Sequence, residues 1–506
     1  MRNIHRFIIQ SLAALALAMP LVSATEADLN AEFRQAVDKC FHSYSFDSSE
    51  LQALLQKGAD VNAVDADGNN ALMLLIKAAD GHNEYRIQKE FFEFLRDAGI
   101  DLHTRNKDGM NAAEMNCCLY WPYKFLEKEF AEAGVPVSLG AQLSAAAARS
   151  DLAGVERLLR EKADPNYHQA NALRQCIGII TDGPKKNEVL IASLLLQAGA
   201  DPNLCGSTIM FRAIHSNAQQ LVPLLLQHGF RVRDCKAEHT SRMLEWLLVH
   251  HTPAEKEIVD LLICHGAVLD DTHWYSCPFF CHLVTDGNGS YQDMQLARHL
   301  IELGLNPARQ NKDGKTALSI AVEKKLGYGI RQILGNPAAV LAERQKKARE
   351  VDSAGRTQLM LAVADPHQPA IEVYKWLRCG VDVNARDAQG RTALFYINSF
   401  CPQKALKAKL LIEAGADVNA RDAQGLTPLL ALPYVHDLRI PQQQSCAPII
   451  RLLAEAGADL NASDPEGCTR LERMLRRSDT LSQHDFECVW LLQKLGCSHR
   501  PECSKK

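Results

Sequence analysis

The feature that most constrains this chain is a phrase that repeats along it. Gly380-Val-Asp-Val-Asn-Ala-Arg-Asp-Ala-Gln-Gly-Arg-Thr-Ala-Leu394 and Gly415-Ala-Asp-Val-Asn-Ala-Arg-Asp-Ala-Gln-Gly-Leu-Thr-Pro-Leu429 are nearly identical. The phrase returns from Gly58 to Leu72 and, more loosely, from Gly457 to Leu471, with worn copies beginning at Gly99, Gly199 and Gly304. Self-similarity at a fixed spacing outranks local propensity as a guide to fold, because each copy is one supersecondary unit. Before each copy stands an apolar helix with a Leu pair near its end, among them Leu54-Leu55, Leu158-Leu159, Leu195-Leu196, Leu410-Leu411 and Leu491-Leu492.

The Gly after each such helix serves as a ruler: 58, 99, 134, then Lys162 in place of Gly, 199, 229, 266, 304, 335, 380, 415, 457 and 496. The intervals run from 28 to 45 residues. Each residue of the phrase has a physical task. Gly ends a helix in the left-handed conformation. Asp and the second Gly suit tight turns. Thr316, Thr392, Thr427 and Thr469 cap the next helix through their hydroxyls, and Pro428 occupies a first helical position whose N–H is not needed. No unit buries its apolar face alone, so neighbours must stack.

This phrase resembles the ankyrin repeat, and the resemblance covers nearly all of the chain after its first residues. It implies an all-α fold: an ankyrin-repeat solenoid of about 12 helix-pair repeats carrying short β-hairpin fingers. It further implies a protein partner held on the concave face of fingers and first helices. The chain departs from the family in lacking the His that often follows Thr-Pro-Leu, and in carrying insertions at 78–90, 180–188, 284–293 and 433–445.

The ends and breaks divide the chain. Arg2, His5 and Arg6, the apolar run Phe7–Leu17 and the small residues before Ala24 read as a signal peptide over 1–24, with export from a bacterial cell to periplasm or medium. An N-terminal array then spans 25–335, an irregular helical junction 336–350, a C-terminal array 351–500 and a tail 501–506. The junction helix carries Arg344, Lys346, Lys347 and Arg349, read as a solvated face with an anionic partner as the alternative. After cleavage of the leader no stretch is long and apolar enough to span a membrane.

With 506 residues, 47% of them hydrophobic and 23% charged, the chain suits a folded array larger than one core. Its formal net charge of -4 lends no support to nucleic acid as a partner. No Gly-x-Ser-x-Gly, His-Glu-x-x-His, phosphate loop or Gly-x-Gly-x-x-Gly is present. The expectation is therefore a monomeric binding protein, not an enzyme, without a cofactor.

The residues placed at finger tips, and so at the partner surface, are Asp65, Asp67, Asn69, Lys107, Arg386, Gln389, Arg391, Arg421, Gln424 and Leu426. Asp65-Ala-Asp67-Gly68 hints at a calcium loop but lacks its distal acidic ligand. A metal-binding or redox alternative rests on Cys235, His239, Cys277, Cys281 and His282. Another alternative is a secreted effector that binds a second organism's protein. Of 16 cysteines, Cys401 with Cys446 and Cys497 with Cys503 are disulfide candidates, on the premise of an oxidising compartment. Tyr120-Trp121, Trp274-Tyr275 and Phe279-Phe280 read as core before they read as anchors.

Overall fold

The structure, a computed structural model, describes residues 25–41, 47–78, 85–118, 126–178, 186–215, 219–250, 253–269, 278–397, 403–433, 445–476 and 483–497. The expected signal segment 1–24, Tyr120-Trp121, Trp274-Tyr275, Cys277, Cys401, Cys503, the expected tail 501–506 and most of the inserted stretches lie outside these residues. Among the described residues all regular structure is helical. The expected β-hairpins are absent there: each finger is a tight turn, with isolated bridges at Gln310–Thr316, Val351–Thr357 and Ser463–Thr469. The physical reason is length. A single turn's Asp already satisfies the backbone groups that a ladder would pair.

The chain divides by its internal contacts into unit 1, ending at Phe230, and unit 2, beginning at Arg231. Unit 1 contains α1 (Glu26–Phe41), α2 (Ser49–Gln56), α3 (Ala71–Ala78), α4 (Tyr85–Asp97), α5 (Ala112–Cys118), α6 (Glu127–Glu132), α7 (Leu139–Ala148), α8 (Leu152–Arg160), α9 (Tyr167–Gly178), α10 (Lys186–Gln197), α11 (Ser207–His215) and α12 (Leu221–Gln227). The odd-numbered helices pack in sequence order, α1 on α3 and so on to α11. Behind them α8, α10 and α12 pack in order. Buried Leu158, Leu195 and Leu225 from the Leu pairs fill the space between the layers. A residue of this kind contributes about 2–5 kcal/mol relative to Ala.

Unit 2 contains α13 (Ala237–His250), α14 (Pro253–Cys264), α15 (Phe279–Asp286), α16 (Tyr291–Glu302), α17 (Ala317–Glu323), α18 (Tyr328–Gly335), α19 (Pro337–Ala348), α20 (Gln358–Ala364), α21 (Ala370–Arg378), α22 (Lys404–Glu413), α23 (Pro428–Ala431), α24 (Ala447–Glu455), α25 (Arg470–Leu475) and α26 (Gln483–Lys494). Serial stacking holds here too: α13, α15 and α17 form one layer, and α22, α24 and α26 another. Phe279 and Phe280 are buried in it, as core.

Unit 2 also does something that serial stacking does not predict. Helix α14 packs on α21, and α16 packs on α19. The array doubles back on itself, so that outer helices separated in sequence face one another. The junction shows how. At the ruler positions the closing residue has positive φ everywhere except Gly335. There the chain places a helix ahead of the finger, which follows only at Val351–Thr357. Asn336, capping through its side chain to the Ala339 N–H, and Pro337 in the first turn start α19 at once. Arg344 on α19, expected in solvent, is buried. Its guanidinium reaches Glu302 (3.2 Å) and Glu372 (2.8 Å), and lies 4.0 Å from the Trp376 ring centre. Lys375 joins the same two carboxylates at 2.9 and 3.1 Å.

The short first helices in the second half of unit 2 end on buried cations. Lys407, fully buried, donates to the carbonyls of Ala362 (2.8 Å) and Asp365 (2.9 Å) at the end of α20. Arg470 donates to Leu432 O (2.5 Å) and Pro433 O (3.2 Å) just past α23. A helix C-terminus with unmet carbonyls favours such a charge.

Candidate interaction surface

Each finger is built from one acceptor. Asp387 Oδ1 accepts the N–H groups of Gln389 (2.9 Å) and Arg391 (2.8 Å). Asp422 does the same for Gln424 and Leu426, both at 2.9 Å. Asp65, Asn106, Asn311, Asp352 and Asp464 repeat the pattern in their own turns. A side chain two and four residues back thus does what a hairpin partner strand would do. The bonds hold the Asp65 and Asp352 carboxyls below their ordinary pKa, against a desolvation effect of burial that pushes Asp65 the other way.

Fingers are then tied to one another. The N–H of Ala388 donates to Ala354 O (3.0 Å), that of Ala423 to Gln389 O (2.8 Å) and that of Lys107 to Asp67 O (2.8 Å). A Cβ on Gly390 would meet Ala423 N at 3.2 Å, so the approach needs glycine. In the next finger Pro465 occupies the place of Ala423 and has no N–H, which ends this row.

A second latch uses the Asn of the phrase. Asn384 donates through Nδ2 to Gly415 O (3.0 Å) and accepts through Oδ1 from Asp417 N–H (2.7 Å). Asn419 does so with Gly457 O (3.1 Å) and Asp459 (2.8 Å). Asn62 and Asn166 make the same pair of bonds to Gly99 and Asp101, and to Gly199 and Asp201. Neither the Asp staple nor the Asn latch was assigned these bonds from the sequence, although their recurrence at one place in every phrase was the available signal.

This geometry sorts the expected surface residues. Asn69 is buried, and Asp65 is spent on its own turn, donating neighbours included. Arg386 Nη1 donates to Gly390 O (2.8 Å) and across to Arg421 O (2.6 Å). Arg421 Nη1 donates to Gly425 O (2.7 Å) and Ser463 O (3.3 Å). Arg391 lies 3.5 Å from the buried Asp422 carboxylate. These three guanidiniums therefore zip fingers together while their outer edges stay in solvent. Leu426 is half-buried. Asp67, Lys107, Gln389 and Gln424 are exposed, and Asp67 has only a long contact to Lys77 at 3.9 Å.

The Cys and His residues do not form a comparable centre. Among the described residues no group of three or more His, Cys, Asp or Glu side chains is arranged to hold a metal. Cys235 sits against Arg231 O, Cys281 against Lys315 O and Arg309 O, and His282 pairs with Asp286 at 2.9 Å. His239 lies on the first turn of α13. Cys446 and Cys497 are buried free thiols, facing Pro433 O and Leu460 O. Burial raises the thiols generally: Cys117 and Cys118 to about 12, Cys205 and Cys488 to about 11, and Cys176 and Cys264 higher still. Thiols so held are protonated and poor nucleophiles.

The class defined by these observations is an all-helical repeat protein with ankyrin-like units. No protein-family model matches the chain, and no curated protein matches it. Among solved structures it is similar to a crystal structure of an ankyrin repeat domain from Acinetobacter baumannii. The identity is 22%, over 43% of this chain and 97% of that one, with a TM-score of 0.25. No helix among the described residues is long and apolar enough to cross a membrane.

Proposed function

We propose that this protein is an interaction scaffold that holds a partner protein on its finger face, in an array of about 12 repeats. The observation that carries the reading is the row of fingers locked by backbone bonds at 2.8–3.0 Å between neighbours. Within each unit these bonds tie neighbouring fingers, so the exposed Asp67 and Lys107 in unit 1, and Gln389 and Gln424 in unit 2, each stand on a preorganised frame. Preorganisation lowers the conformational entropy lost on binding, which is what an interaction surface needs. The zipped Arg386, Arg391 and Arg421 add outward charge at fixed positions.

The protein acts by binding and not by catalysis, as a monomer without a cofactor. The raised thiol pKa values support that reading against a redox role. Its place is the periplasm or the medium, reached through the leader at 1–24. Fractionation with N-terminal sequencing tests this: a cytoplasmic chain that retains Met1 refutes it.

The surface is tested by affinity capture with native protein and with a variant carrying Ala388→Arg, Gln389→Arg and Gln424→Arg, which leaves the Asp staples in place. The native chain should retain a partner that the variant loses about tenfold or more, as expected for bulk and charge set at an interface centre. Equal recovery of every bound protein by the two chains refutes the finger face.

A further inference from the structure

The doubling back of unit 2 makes a cleft that a simple stack would not have. It lies between the end of α14 with its following turn, and α21 with α22, and has a volume of about 650 Å³. That is the size of a pocket for a few side chains. Its apolar wall includes Val268, Leu269 and Leu377, and Val268 is 57% exposed. Its charged groups are Arg233, Arg378 and Glu413.

The charge there is unbalanced. Arg233 is engaged with Glu413 at 2.5 Å, and Glu413 is the single carboxylate among the described lining residues. Arg378 is exposed, lies 6.0 Å from the Tyr374 ring centre and makes no ion pair with a carboxylate among the described residues. Its Nη2 stands 2.5 Å from where a Cβ on Gly304 would be, so Gly304 gives the guanidinium its room. Lys409, next to the lining Leu410 on α22, stands at the rim and not in the lining, makes no ion pair among the described residues and acts electrostatically on His265. Burial, then Lys409 and Arg233, bring the His265 pKa down to about 4.

We propose that this cleft binds an acidic, extended segment of a partner protein, with carboxylates meeting Arg378 and Lys409 and an apolar side chain covering Val268. Arg-lined sites paired with an apolar wall recognise acidic motifs through this division of labour. The site is separate from the finger row, and stands or falls without it.

The test uses the full chain and a short fluorescein-labelled peptide of alternating glutamate and leucine, read by anisotropy. Saturable binding is expected, weakening at least about tenfold in a variant with Arg378→Glu and Lys409→Glu. A control with the same charge change on exposed residues elsewhere, Lys312→Glu and Lys346→Glu, should bind within about twofold of native, since distant surface charges are screened. Should the first variant fail to fold, Arg378→Gln with Lys409→Gln replaces it, with a loss of about threefold or more expected. Absence of saturable binding overturns the proposal. So does equal binding of a lysine–leucine peptide, equal loss in the control, or tighter binding of a single-stranded oligonucleotide at the same residues.

Discussion

In unit 1 the second helices α8, α10 and α12 stack in order, and charged residues such as Glu156 and Arg160 on α8 stay in solvent. In unit 2 the same kind of helix face is folded against another. Asp260 on α14 bonds His299 on α16 at 2.7 Å, and Glu302, Arg344, Glu372 and Lys375 close a four-member charge cluster between α16, α19 and α21. One building block thus has two uses for its outer helix. Charge on that helix marks solvent in one unit and a specific, buried docking in the other. The difference goes with one place, Gly335-Asn336-Pro337, where α19 is inserted ahead of the finger.

The largest test of this contrast removes one member of the cluster. Glu302→Ala leaves Arg344 and Lys375 sharing Glu372, both cations being largely buried. Breaking a buried pair from one side costs about 3–5 kcal/mol. Hydrogen exchange should show faster opening of α14 and α21 amides, while Glu156→Ala in unit 1 stays within about 0.5 kcal/mol of native. Equal effects from the two substitutions would mean that the cluster does not hold the fold-back.

Acid should act on the same place. Burial, ahead of the opposing pull of Asp260, lowers the His299 pKa from its ordinary 6.5, with Lys375 and Lys256 adding to the decrease. A base with a lowered folded pKa binds fewer protons folded than unfolded. Stability is therefore full above about pH 6.5 and declines as pH falls from there toward the folded value. Glu372 is lowered by Lys375 and Arg344 against burial, so its contribution is lost only at more acid pH, below the usual carboxylate range. A denaturation series should show α14–α21 weakening from pH 7 to 5, and His299→Gln should flatten that slope. An unchanged slope in the variant would assign it to other groups.

The fingers give the next effect. Asp387→Ala strands the N–H groups of Gln389 and Arg391 and the Tyr396 hydroxyl, which donates to the other carboxylate oxygen. Unmade bonds of this kind cost about 1–3 kcal/mol. Asn419→Ala should cost about 1–2 kcal/mol, by the loss of one donated and one accepted bond. Urea unfolding followed by exchange of the α22–α24 amides separates the two. The first should loosen the turn, the second the seam between repeats. If Asn419→Ala loosens only its own turn, the latch is not an inter-repeat device.

How much of this could be read from residues alone depends on whether the information was local. The helix pairs, the capping roles of Thr316, Thr427 and Thr469, and Pro428 at a first helical position are local, and the structure has them. Thr392 is the exception: it precedes a 3-10 turn, not a helix, and its buried hydroxyl has no partner among the described residues. The finger surface was half legible. Exposure at turns pointed to Gln389 and Gln424, but periodicity could not show that Asp65 and Asn69 are consumed inside their turn. The fold-back was not legible at all. A buried Arg344 and a solvated Lys347 read alike on one helix, because what distinguishes them are Glu302 and Glu372 from helices elsewhere in the chain.

The smallest expected effect sharpens the comparison from the side of unit 1. At ruler positions where other repeats have Gly in the left-handed region, unit 1 has Lys162, at φ +65°. Its neighbours make the same closing bonds: Lys162 N–H to Leu159 O at 3.1 Å and Ala163 N–H to Leu158 O at 3.0 Å. The fold therefore imposes the conformation and the side chain bears it, at about 1–2 kcal/mol for a residue with a Cβ. Lys162→Gly should relieve most of this, less the extra freedom that glycine gives the unfolded chain, for a net gain of about 0.5–1 kcal/mol. The gain should appear in exchange of the α8 and α10 amides and nowhere in unit 2. The converse change, Gly199→Ala, should cost about 1 kcal/mol one repeat later. If Lys162→Gly destabilises instead, the left-handed closure does not strain this residue, and the repeats of unit 1 are not equivalent in the sense on which the comparison depends.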